Sequence, residues 1–350
     1  MSDVVVWPIR SHFLDSGAFT LRNKVDVNYR EYMDEYATFI KDNLIAIDLY
    51  ANVDVIASPE LTWDNQKYLE NEHGLKPIPL VHYGEDFKWI VKYIEAGYQY
   101  LGIGGVSNKK SLVLEGPWLE SCFEIICSTP KRLPVCMTHG FGVGGTKSML
   151  RYPWYSVDTT RWMMLGSRGY FAIPKYRNGK FIFDVNPTIV KVGNTVQKWK
   201  DHLKSLGTAE YAVVKEWADF IGIDLEKIQE NPASWSASYL KFYEEFRKNA
   251  PSFPKPYQNK RLGFFDKGYK FNSVEFPESK LKIYYSGGGV SAGLPEVVLE
   301  RRAMVMLSFF DVPNTRFRRI LEARRVNGPV AFPGGKKRER RRVAANAVGK

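Results

Sequence analysis

Two segments of this chain place an aspartate where a strand-like run gives way to glycine or small polar residues. Asp15 lies in residues 12–19, and Asp158 lies in residues 155–162. Two carboxylates at two strand ends that face one cavity are suited to double displacement at a sugar carbon. In this reaction one carboxylate attacks the anomeric carbon and the other transfers protons. The residue types and their settings therefore predict a glycosyl-transfer site.

Other residues near predicted strand ends could line the same site. An acid can accept hydrogen bonds, a histidine can orient a carboxylate or hydrogen bond to a ligand, and an aromatic ring can stack on a flat ligand. The candidates are Asp48, His82, Gly104, Gly105, His139 and Phe19.

Each candidate also has a purely structural interpretation. Asp158 can cap the helix that follows it, and Asp15 can form a turn with the Ser-Gly after it. Asp48 can pair with a nearby cation, the histidines can be satisfied core groups, and Phe19 can pack in the core. The two adjacent glycines are a weak signal, because no phosphate-binding fingerprint accompanies them.

The chain around these residues alternates short apolar runs with amphipathic stretches. Strands are predicted at residues 12–15, 44–48, 78–82, 98–103, 134–138 and 155–158, and helices at 28–42, 59–73, 86–96, 118–126 and 147–151. Six strands that alternate with helices indicate a parallel sheet. Polar or glycine residues follow each of the six strands, and this favours a TIM-type (β/α)8 barrel, whose active site lies at the carboxyl ends of its strands. An open doubly wound sheet instead binds its ligand at one switch point in the strand order.

The alternation breaks after residue 162. Residues 1–193 are predicted to be the first part of the barrel, with the catalytic motifs and a β-hairpin whose strands 169–176 and 180–185 flank an Asn-Gly turn signal. Residues 194–256 are predicted to be a helical insertion. Residues 257–314 complete the barrel with a strand at 280–285, a glycine loop and a helix at 296–309, and residues 315–350 are a basic tail. No seventh strand is identifiable, so closure of the barrel is inferred.

Positive charge is concentrated at the end of the chain. The formal net charge is +12, and residues 315–350 contain twelve Lys or Arg against two Glu, so the other residues carry about +2. Such a tail suits a polyanion, because each phosphate contact releases counterions; the alternative is a solvated terminus. The helical insertion is a second expected basic surface. The predicted nucleic-acid contacts are Arg161, Arg316, Arg318, Arg319, Arg324, Arg325, Lys336, Lys337 and Arg338.

Composition excludes several classes of protein. With 350 residues, 44% of them hydrophobic, the chain can bury a sizeable core. Cys122, Cys127 and Cys136 are too few and wrongly spaced for a disulfide framework or a structural zinc site, so we expect them to be reduced and buried. No segment is long and apolar enough to span a bilayer, and the first residues lack the features of a signal peptide. We therefore expect a cytoplasmic protein, in the host cytoplasm if a phage encodes it, and leave its oligomeric state open.

These motifs resemble those of the tRNA-guanine transglycosylase superfamily, most of all its DNA-acting branch, the DpdA-type deazapurine transglycosylases that include phage forms. The run Asp15-Ser16-Gly17-Ala18-Phe19 is similar to the family's Asp-Ser-Gly-Gly-Phe motif. The run Gly140-Phe141-Gly142-Val143-Gly144, followed by a helix and Val157-Asp158, is similar to its Gly-Val-Gly, helix, Asp segment. The likeness covers residues 13–162. It implies a TIM-type barrel that exchanges guanine in a nucleic acid for a 7-deazaguanine.

The resemblance also implies a role for each matching residue. Asp158 would be the nucleophile that forms a covalent glycosyl-enzyme intermediate, and Asp15 would be the proton-transfer residue. Asp48 would be the acid that reads the base, and Gly104 and Gly105 would line the base pocket.

Two departures from the family pattern bear on the substrate. Members that act on tRNA carry a Cys-x-Cys-x-x-Cys plus His zinc site late in the chain, and nothing after Cys136 supplies it here. The loss puts tRNA as substrate in doubt. His82 and Tyr83 stand where the family commonly has Gln, so the hydrogen bonds around the incoming base are expected to differ.

The resemblance therefore predicts a pentosyltransferase acting on double-stranded DNA, with the target guanine flipped out of the stack. It would insert a free 7-deazaguanine such as preQ0 without a metal or other cofactor and without a membrane partner. One alternative keeps this chemistry with tRNA as the substrate. The other is a non-catalytic nucleic-acid-binding barrel in which the basic tail does the binding.

Overall fold

The computed structural model describes residues 9–21, 27–45, 47–106, 115–193, 202–230, 232–259, 268–286 and 303–308. In chain order the strands are β1 (Ile9–Asp15), β2 (Leu49–Tyr50), β3 (Leu80–His82), β4 (Tyr100–Gly104), β5 (Met137–Gly140), β6 (Ser156–Thr159), β7 (Tyr170–Ile173), β8 (Lys175–Arg177), β9 (Lys180–Ile182), β10 (Thr188–Lys191), β11 (Ser252–Phe253), β12 (Ser279–Lys280), β13 (Lys282–Ser286) and β14 (Ala303–Ser308). The helices are α1 (Ala18–Leu21), α2 (Tyr29–Asp42), α3 (Pro59–Asn71), α4 (Lys88–Glu95), α5 (Glu115–Ile126), α6 (Thr146–Arg151), α7 (Arg161–Gly166), α8 (Thr208–Phe220) and α9 (Pro232–Asn249).

Local sequence accounts for the helices that cover the sheet, and α2 is representative. The side chain of Asn28 accepts a hydrogen bond from the backbone N–H of Glu31, a donor with no partner inside the helix. Tyr36 and Ile40 lie four residues apart on the same face, and both are buried. The Tyr36 hydroxyl donates to the carbonyl of Ala51 at 2.8 Å, which ties the helix to the chain leaving β2.

Eight of the strands form one parallel sheet in the order β2-β1-β14-β13-β6-β5-β4-β3. The first and last strands of this order also meet, because Ala51, just after β2, forms a parallel bridge with Ile78, just before β3. Two backbone hydrogen bonds make the bridge, from Ile78 N–H to Tyr50 at 2.8 Å and from Asn52 N–H to Ile78 at 2.9 Å. Since all eight strands run the same way, their carboxyl ends share one edge.

The sheet is strongly curved. The rings of Phe13 on β1 and His139 on β5 have centroids 4.6 Å apart, although three strands separate β1 from β5 in the sheet order. Four strand spacings in a flat sheet would be about 19 Å. The two strands therefore face each other across a concave surface.

Side chains on the concave surface form a small apolar core, distinct from the larger core between the sheet and the helices. The buried members of this small core are Phe13, Ala51, Ile78, Leu80, Tyr284 and Met306. Strand side chains alternate between the two faces, so residues two positions further along also face the concave side. On β1, β3 and β13 these residues are Asp15, His82 and Ser286.

The strand predicted at residues 44–48 is wrong. Leu44 and Ile45 are 53% and 59% exposed in the turn after α2. The strand that pairs with β1 is Leu49–Tyr50, in the register Phe13 with Leu49. A short apolar run carries no periodicity that fixes where a strand begins, and here the pairing with β1 decides it.

The helix predicted at residues 296–309 is wrong where the structure describes that segment, because Ala303–Ser308 is strand β14. This strand lies between β1 and β13 and pairs with both. Its apolar run fits a buried strand and a buried helix equally well, and pairing with the backbones of two neighbouring strands selects the strand. The predicted strand at 280–285 is present as β13, so β13 and β14 are the last two strands of the sheet.

The chain between β6 and β13 adds elements outside this sheet. The ribbon of β7 and β10 packs on α8 and α9, since the Trp217 indole donates to the Ala172 carbonyl at 2.9 Å and the Ala172 N–H donates to Ser238 Oγ at 2.8 Å. The predicted hairpin is confirmed, with shorter strands than expected. β8 and β9 pair around Asn178 and Gly179, whose φ angles of 50° and 73° fit a type I′ turn.

The three cysteines are buried free thiols, as the sequence predicts. Burial raises the pKa of Cys136 to about 12, so this group stays a thiol at neutral pH. In the ranges that the structure describes, no helix is long and apolar enough to cross a membrane.

Replacing Phe13 by Ala tests the concave core. The Phe13 side chain is fully buried, and its ring packs on three others across the curve of the sheet. The cavity left by Phe13→Ala should lower the free energy of unfolding by about 3–5 kcal/mol in a urea titration. Leu44→Ala, at an exposed position, is the control and should change it by less than about 0.5 kcal/mol. Similar effects for the two variants would contradict the curved sheet.

Candidate active site

Asp158 lies on the concave side near the carboxyl end of β6 and is 5% exposed. The backbone N–H of Gly142 donates to Oδ1 at 2.6 Å, and the Ser286 hydroxyl donates to Oδ2 at 2.7 Å. These donors come from the chain after β5 and from the end of β13, the two strands that flank β6. With a donor on each oxygen, the carboxylate is held in one orientation at the mouth of the curve.

A polar chain lies beneath Asp158 inside the concave core. His139 Nε2 is 3.6 Å from Asp158 Oδ1, and its Nδ1 is 2.6 Å from Ser156 Oγ. The Ser156 hydroxyl in turn lies 2.5 Å from the hydroxyl of Tyr100. Burial lowers the pKa of His139 and outweighs the opposing effect of the Asp158 charge, so the ring is neutral at neutral pH. His139 is fully buried, and this position suits orientation of Asp158 rather than contact with a base.

Asp15 ends β1 on the same concave side. Burial, together with the nearby charges of Asp54 and Asp158, raises its pKa from 3.8 to about 7. The backbone N–H of Gly17 is 3.4 Å from Oδ1 and opposes the shift only weakly. Near neutral pH, this carboxyl is therefore present in both protonation states, which is the property required of a group that donates and then accepts a proton.

A third carboxylate, Asp54, is 6% exposed and is close enough to Asp15 for its charge to raise the pKa of Asp15. His82 Nε2, at the end of β3, is 2.5 Å from Asp54 Oδ2. Burial by itself lowers the pKa of His82, but the hydrogen bond and charge of Asp54 outweigh it and raise that pKa above its ordinary value of 6.5. The contact with Asp54 therefore favours the protonated form of His82.

Gly104 makes room for the His82 ring. A Cβ at Gly104 would lie 2.8 Å from His82 Cε1 and 2.9 Å from Nδ1, distances at which the ring has to move. Gly105 similarly lies against Tyr83, whose Cβ would be 3.0 Å from an added Cβ. Tyr83 is 38% exposed, so its ring is accessible at this edge of the sheet. Both glycines thus accommodate side chains of the neighbouring strand end.

Glu85 completes the acidic side of the site. Its Oε2 accepts a hydrogen bond from the His82 backbone N–H at 3.0 Å, and burial raises its pKa. Asp54 and Glu85 are absent from the residues predicted from sequence. The available signal was their spacing, since Asp54 follows β2 by four residues and Glu85 follows His82 by three.

The structure does not bring Asp48 to this site. Asp48 precedes β2 and is exposed, and its Oδ2 accepts a hydrogen bond from the His12 backbone N–H at 2.7 Å. His12 is three residues before Asp15, so Asp48 lies toward the amino end of the strand pair. Asp48 was expected at a strand's carboxyl end because residues 44–48 were predicted as the strand; with β2 at Leu49–Tyr50, the acid beyond that end is Asp54.

Arg161 is the first residue of α7, just beyond β6. Its Nη1 donates to the Gly144 carbonyl at 3.4 Å, and the Tyr243 hydroxyl donates to the same carbonyl at 2.6 Å. Phe19 lies in α1, and its side chain is outside the part that the structure describes. The other predicted nucleic-acid contacts also lie outside the described residues: Arg316, Arg318, Arg319, Arg324, Arg325, Lys336, Lys337 and Arg338.

Within the described ranges, no group of three or more His, Cys, Asp or Glu side chains is arranged to hold a metal ion. The groups present are suited to acid–base and nucleophilic chemistry. One carboxylate is oriented by two donors, one carboxyl titrates near neutral pH, and one carboxylate is paired with histidine.

Comparison of the chain with protein-family models, with curated proteins and with solved structures yields no match. The resemblance to guanine transglycosylases therefore remains a prediction from the motifs.

The raised pKa of Asp15 predicts a pH-dependent gain in stability for Asp15→Asn. The folded state binds this proton more tightly than the unfolded chain does, so the stability from Asp15 is complete below about pH 4 and is lost as the pH rises toward 7. Asparagine avoids the buried charge. At pH 8 we expect the variant to be more stable than the wild type by up to about 4 kcal/mol, with little difference at pH 4.

Urea titrations of both proteins at the two pH values measure this difference. Asp64→Asn, at an exposed position in α3, is the control and should change the free energy of unfolding by less than about 0.5 kcal/mol at either pH. A gain for Asp15→Asn that is equal at pH 4 and pH 8 would show that the Asp15 charge is not desolvated.

The His82–Asp54 contact predicts the titration of His82. In Asp54→Asn the hydrogen bond and charge that raise the pKa of His82 most are lost while burial remains, so that pKa should fall, although the charges of Glu85 and Asp15 still raise it. NMR titration of the histidine Cε1–H signals measures the change. Asp48→Asn is the matched control and should leave the His82 signal unaffected; a His82 pKa that is equal in the wild type and Asp54→Asn argues against the pair.

Proposed function

We propose that this chain is a DNA guanine transglycosylase that replaces guanine with a 7-deazaguanine by double displacement. The observation that supports this best is the pairing of an oriented carboxylate, Asp158, with a carboxyl that titrates near neutral pH, Asp15, at one edge of one sheet. The charge of Asp158 is close enough to raise the pKa of Asp15. Displacement in two steps requires one group that attacks carbon and another that exchanges protons with the bases.

For the fold, we propose a closed (β/α)8 barrel of the TIM type. Two observations support closure: the bridge between Ala51 and Ile78, which joins the outer strands of the sheet order, and the contact of Phe13 with His139. In such barrels the active site lies at the carboxyl ends of the strands. Asp15, His82 and Asp158 occupy that edge.

In the first step, an oxygen of Asp158 attacks C1′ of the target nucleotide and the bond from C1′ to guanine N9 breaks. The electron pair of that bond leaves with the base, and protonated Asp15 donates a proton to the departing guanine. The product is a glycosyl ester of Asp158. The oxygen that does not attack keeps the donor that it has in the free enzyme, which is the Gly142 N–H for Oδ1 or the Ser286 hydroxyl for Oδ2.

In the second step, the incoming 7-deazaguanine gives its N9 proton to ionised Asp15, and N9 attacks C1′. The ester bond breaks, and Asp158 leaves as a carboxylate. Two inversions at C1′ return the original configuration. Asp15 regains the proton it gave up, so a pKa near the working pH serves both halves of the reaction.

We propose Asp54 as the acid that reads the base, in place of the predicted Asp48. Asp54 Oδ2 binds His82, and Oδ1 would accept the hydrogen bonds from the N1–H and amine of a guanine. A 7-deazaguanine presents the same edge. Tyr83 directly follows His82 and is exposed, and we propose that its ring stacks on such a base.

DNA remains the favoured substrate, because the resemblance is closest to the DNA-acting branch and the sequence lacks the zinc motif of the tRNA enzymes. In a duplex, C1′ is shielded, so the target nucleotide has to leave the stack at a cost of a few kcal/mol. Incubating the full chain with labelled guanine and either DNA or tRNA separates the two substrates. Label in tRNA alone would favour the alternative.

Asp158→Asn tests the nucleophile. With wild-type protein and DNA in the absence of an incoming base, we expect a protein–DNA adduct that survives denaturing electrophoresis. The variant should form none and lose base exchange by at least about 10³-fold, while binding DNA as the wild type does. Asp48→Asn should keep both adduct and exchange. Undiminished exchange by Asp158→Asn removes this residue from the mechanism, and binding without any exchange by the wild type favours a non-catalytic protein.

A further inference from the structure

Three cations stand on one face of the hairpin that β8 and β9 form. Lys175, Arg177 and Lys180 are all exposed, and the antiparallel register pairs Arg177 with Lys180. Directly opposite residues of an antiparallel pair point to the same side of the ribbon, and so does the residue two positions along either strand. The hairpin therefore presents a basic face made of these three side chains.

Placing these cations together destabilises the hairpin, and packing on its other side offsets that cost. Like charges directly opposite each other on paired strands are destabilising. On the other side, the Phe181 ring lies 5.3 Å from Trp217 and 5.1 Å from Tyr176. The Tyr176 hydroxyl also donates to Glu216 at 3.2 Å. The basic face is thus held outward on a fixed support.

Between β6 and β13, the segment that contains the hairpin has a net positive charge, whereas the segment that contains α8 and α9 does not. Residues 167–192 contain five Lys or Arg against one Asp, whereas residues 202–249, which include α8 and α9, contain six against eight acids. The expected basic surface on the helical insertion is therefore wrong for its described residues. Two acids of α8 have partners, Glu216 through Tyr176 and Asp219 through Lys215 at 2.8 Å. Asp184, the one acid of residues 167–192, is exposed.

The hairpin is also connected to the candidate active site. Asn186 Oδ1, between β9 and β10, accepts hydrogen bonds from the N–H and the hydroxyl of Thr146 at 3.2 and 3.1 Å. Thr146 begins α6 directly after the loop whose Gly142 N–H binds Asp158. Lys180 is six residues from Asn186, so at most about 21 Å of chain separates them. This length corresponds to about six base pairs of B-DNA.

We propose that the basic face of the hairpin binds the sugar–phosphate backbone of the DNA strand whose guanine enters the site. This inference rests on the proposed function for its substrate. Three cations on a rigid ribbon would contact phosphates a few nucleotides from the target. Such contacts fix the position and orientation of the strand without reading its sequence.

Salt-dependent binding of a duplex DNA oligonucleotide to the full chain tests the proposal. The variant combines Lys175→Gln, Arg177→Gln and Lys180→Gln. Loss of three phosphate contacts should reduce the slope of log K against log salt concentration by about 2–3 and weaken binding at low salt by about tenfold or more. Fluorescence anisotropy over a series of salt concentrations measures both quantities.

The matched control removes three exposed lysines from segments that lead into strands at the opposite edge of the sheet. It combines Lys41→Gln, Lys76→Gln and Lys131→Gln and should keep the wild-type slope. Wild-type binding by the hairpin variant, or an equal loss in the control, overturns the inference. Arg177→Gln alone, with an expected slope change of about 0.9, serves if the combined variant does not fold.

Base exchange is scored separately from binding. A hairpin variant that loses DNA binding, in a chain whose wild type exchanges no base, supports the hairpin inference and rejects the proposed function. If the wild type exchanges base and the hairpin variant binds DNA normally, the proposed function is supported and the hairpin inference is rejected.

Discussion

Burial of three carboxylates at the carboxyl end of one sheet is the constraint on which this site depends. Asp15, Asp54 and Asp158 share one edge of one sheet, where burial makes each charge costly. Asp158 is compensated by a backbone N–H and a serine hydroxyl, and Asp54 by a histidine. Asp15 has backbone hydrogen bonds from Ser16 and Gly17, but burial and the charges of Asp54 and Asp158 outweigh them and raise its pKa to about 7. The titratable proton that the proposed reaction needs is therefore a consequence of burial first and of the neighbouring carboxylates second.

Apolar side chains two residues earlier on the same strands pack together and hold the polar groups of the site close to one another. Phe13, Leu80 and Tyr284 lie in the concave core, and the residue two positions beyond each is polar and faces the same way. The core brings β1 and β5 face to face, and His139 links it to the site because its ring packs on Phe13 while Nε2 lies near Asp158. On the same strands, one layer of side chains therefore forms the apolar core and the next layer forms the candidate site. This explains why the acids can be both buried and close.

The proposed chemistry and the proposed DNA contacts use different parts of the chain. The parallel sheet carries the carboxylates, whereas the hairpin, inserted between β6 and β13, carries a basic face. The contact of Asn186 with Thr146 connects the two through the loop that also holds Asp158. Because phosphate contacts are independent of sequence, this division would leave recognition of guanine to Asp54 and His82.

The sequence by itself determined the alternation of strands and helices, the hairpin turn at Asn178, and the strand ends that bear Asp15 and Asp158. These are local properties, since periodicity and turn chemistry are written in neighbouring residues. Only the tertiary structure decided that Ala303–Ser308 is a strand, because its apolar run becomes one by pairing with β1 and β13. It also placed Asp54 rather than Asp48 among the acids, because the register of β2 on β1 sets which acid lies beyond the strand's carboxyl end. Register and burial depend on partners distant in the chain, and no local pattern encodes them.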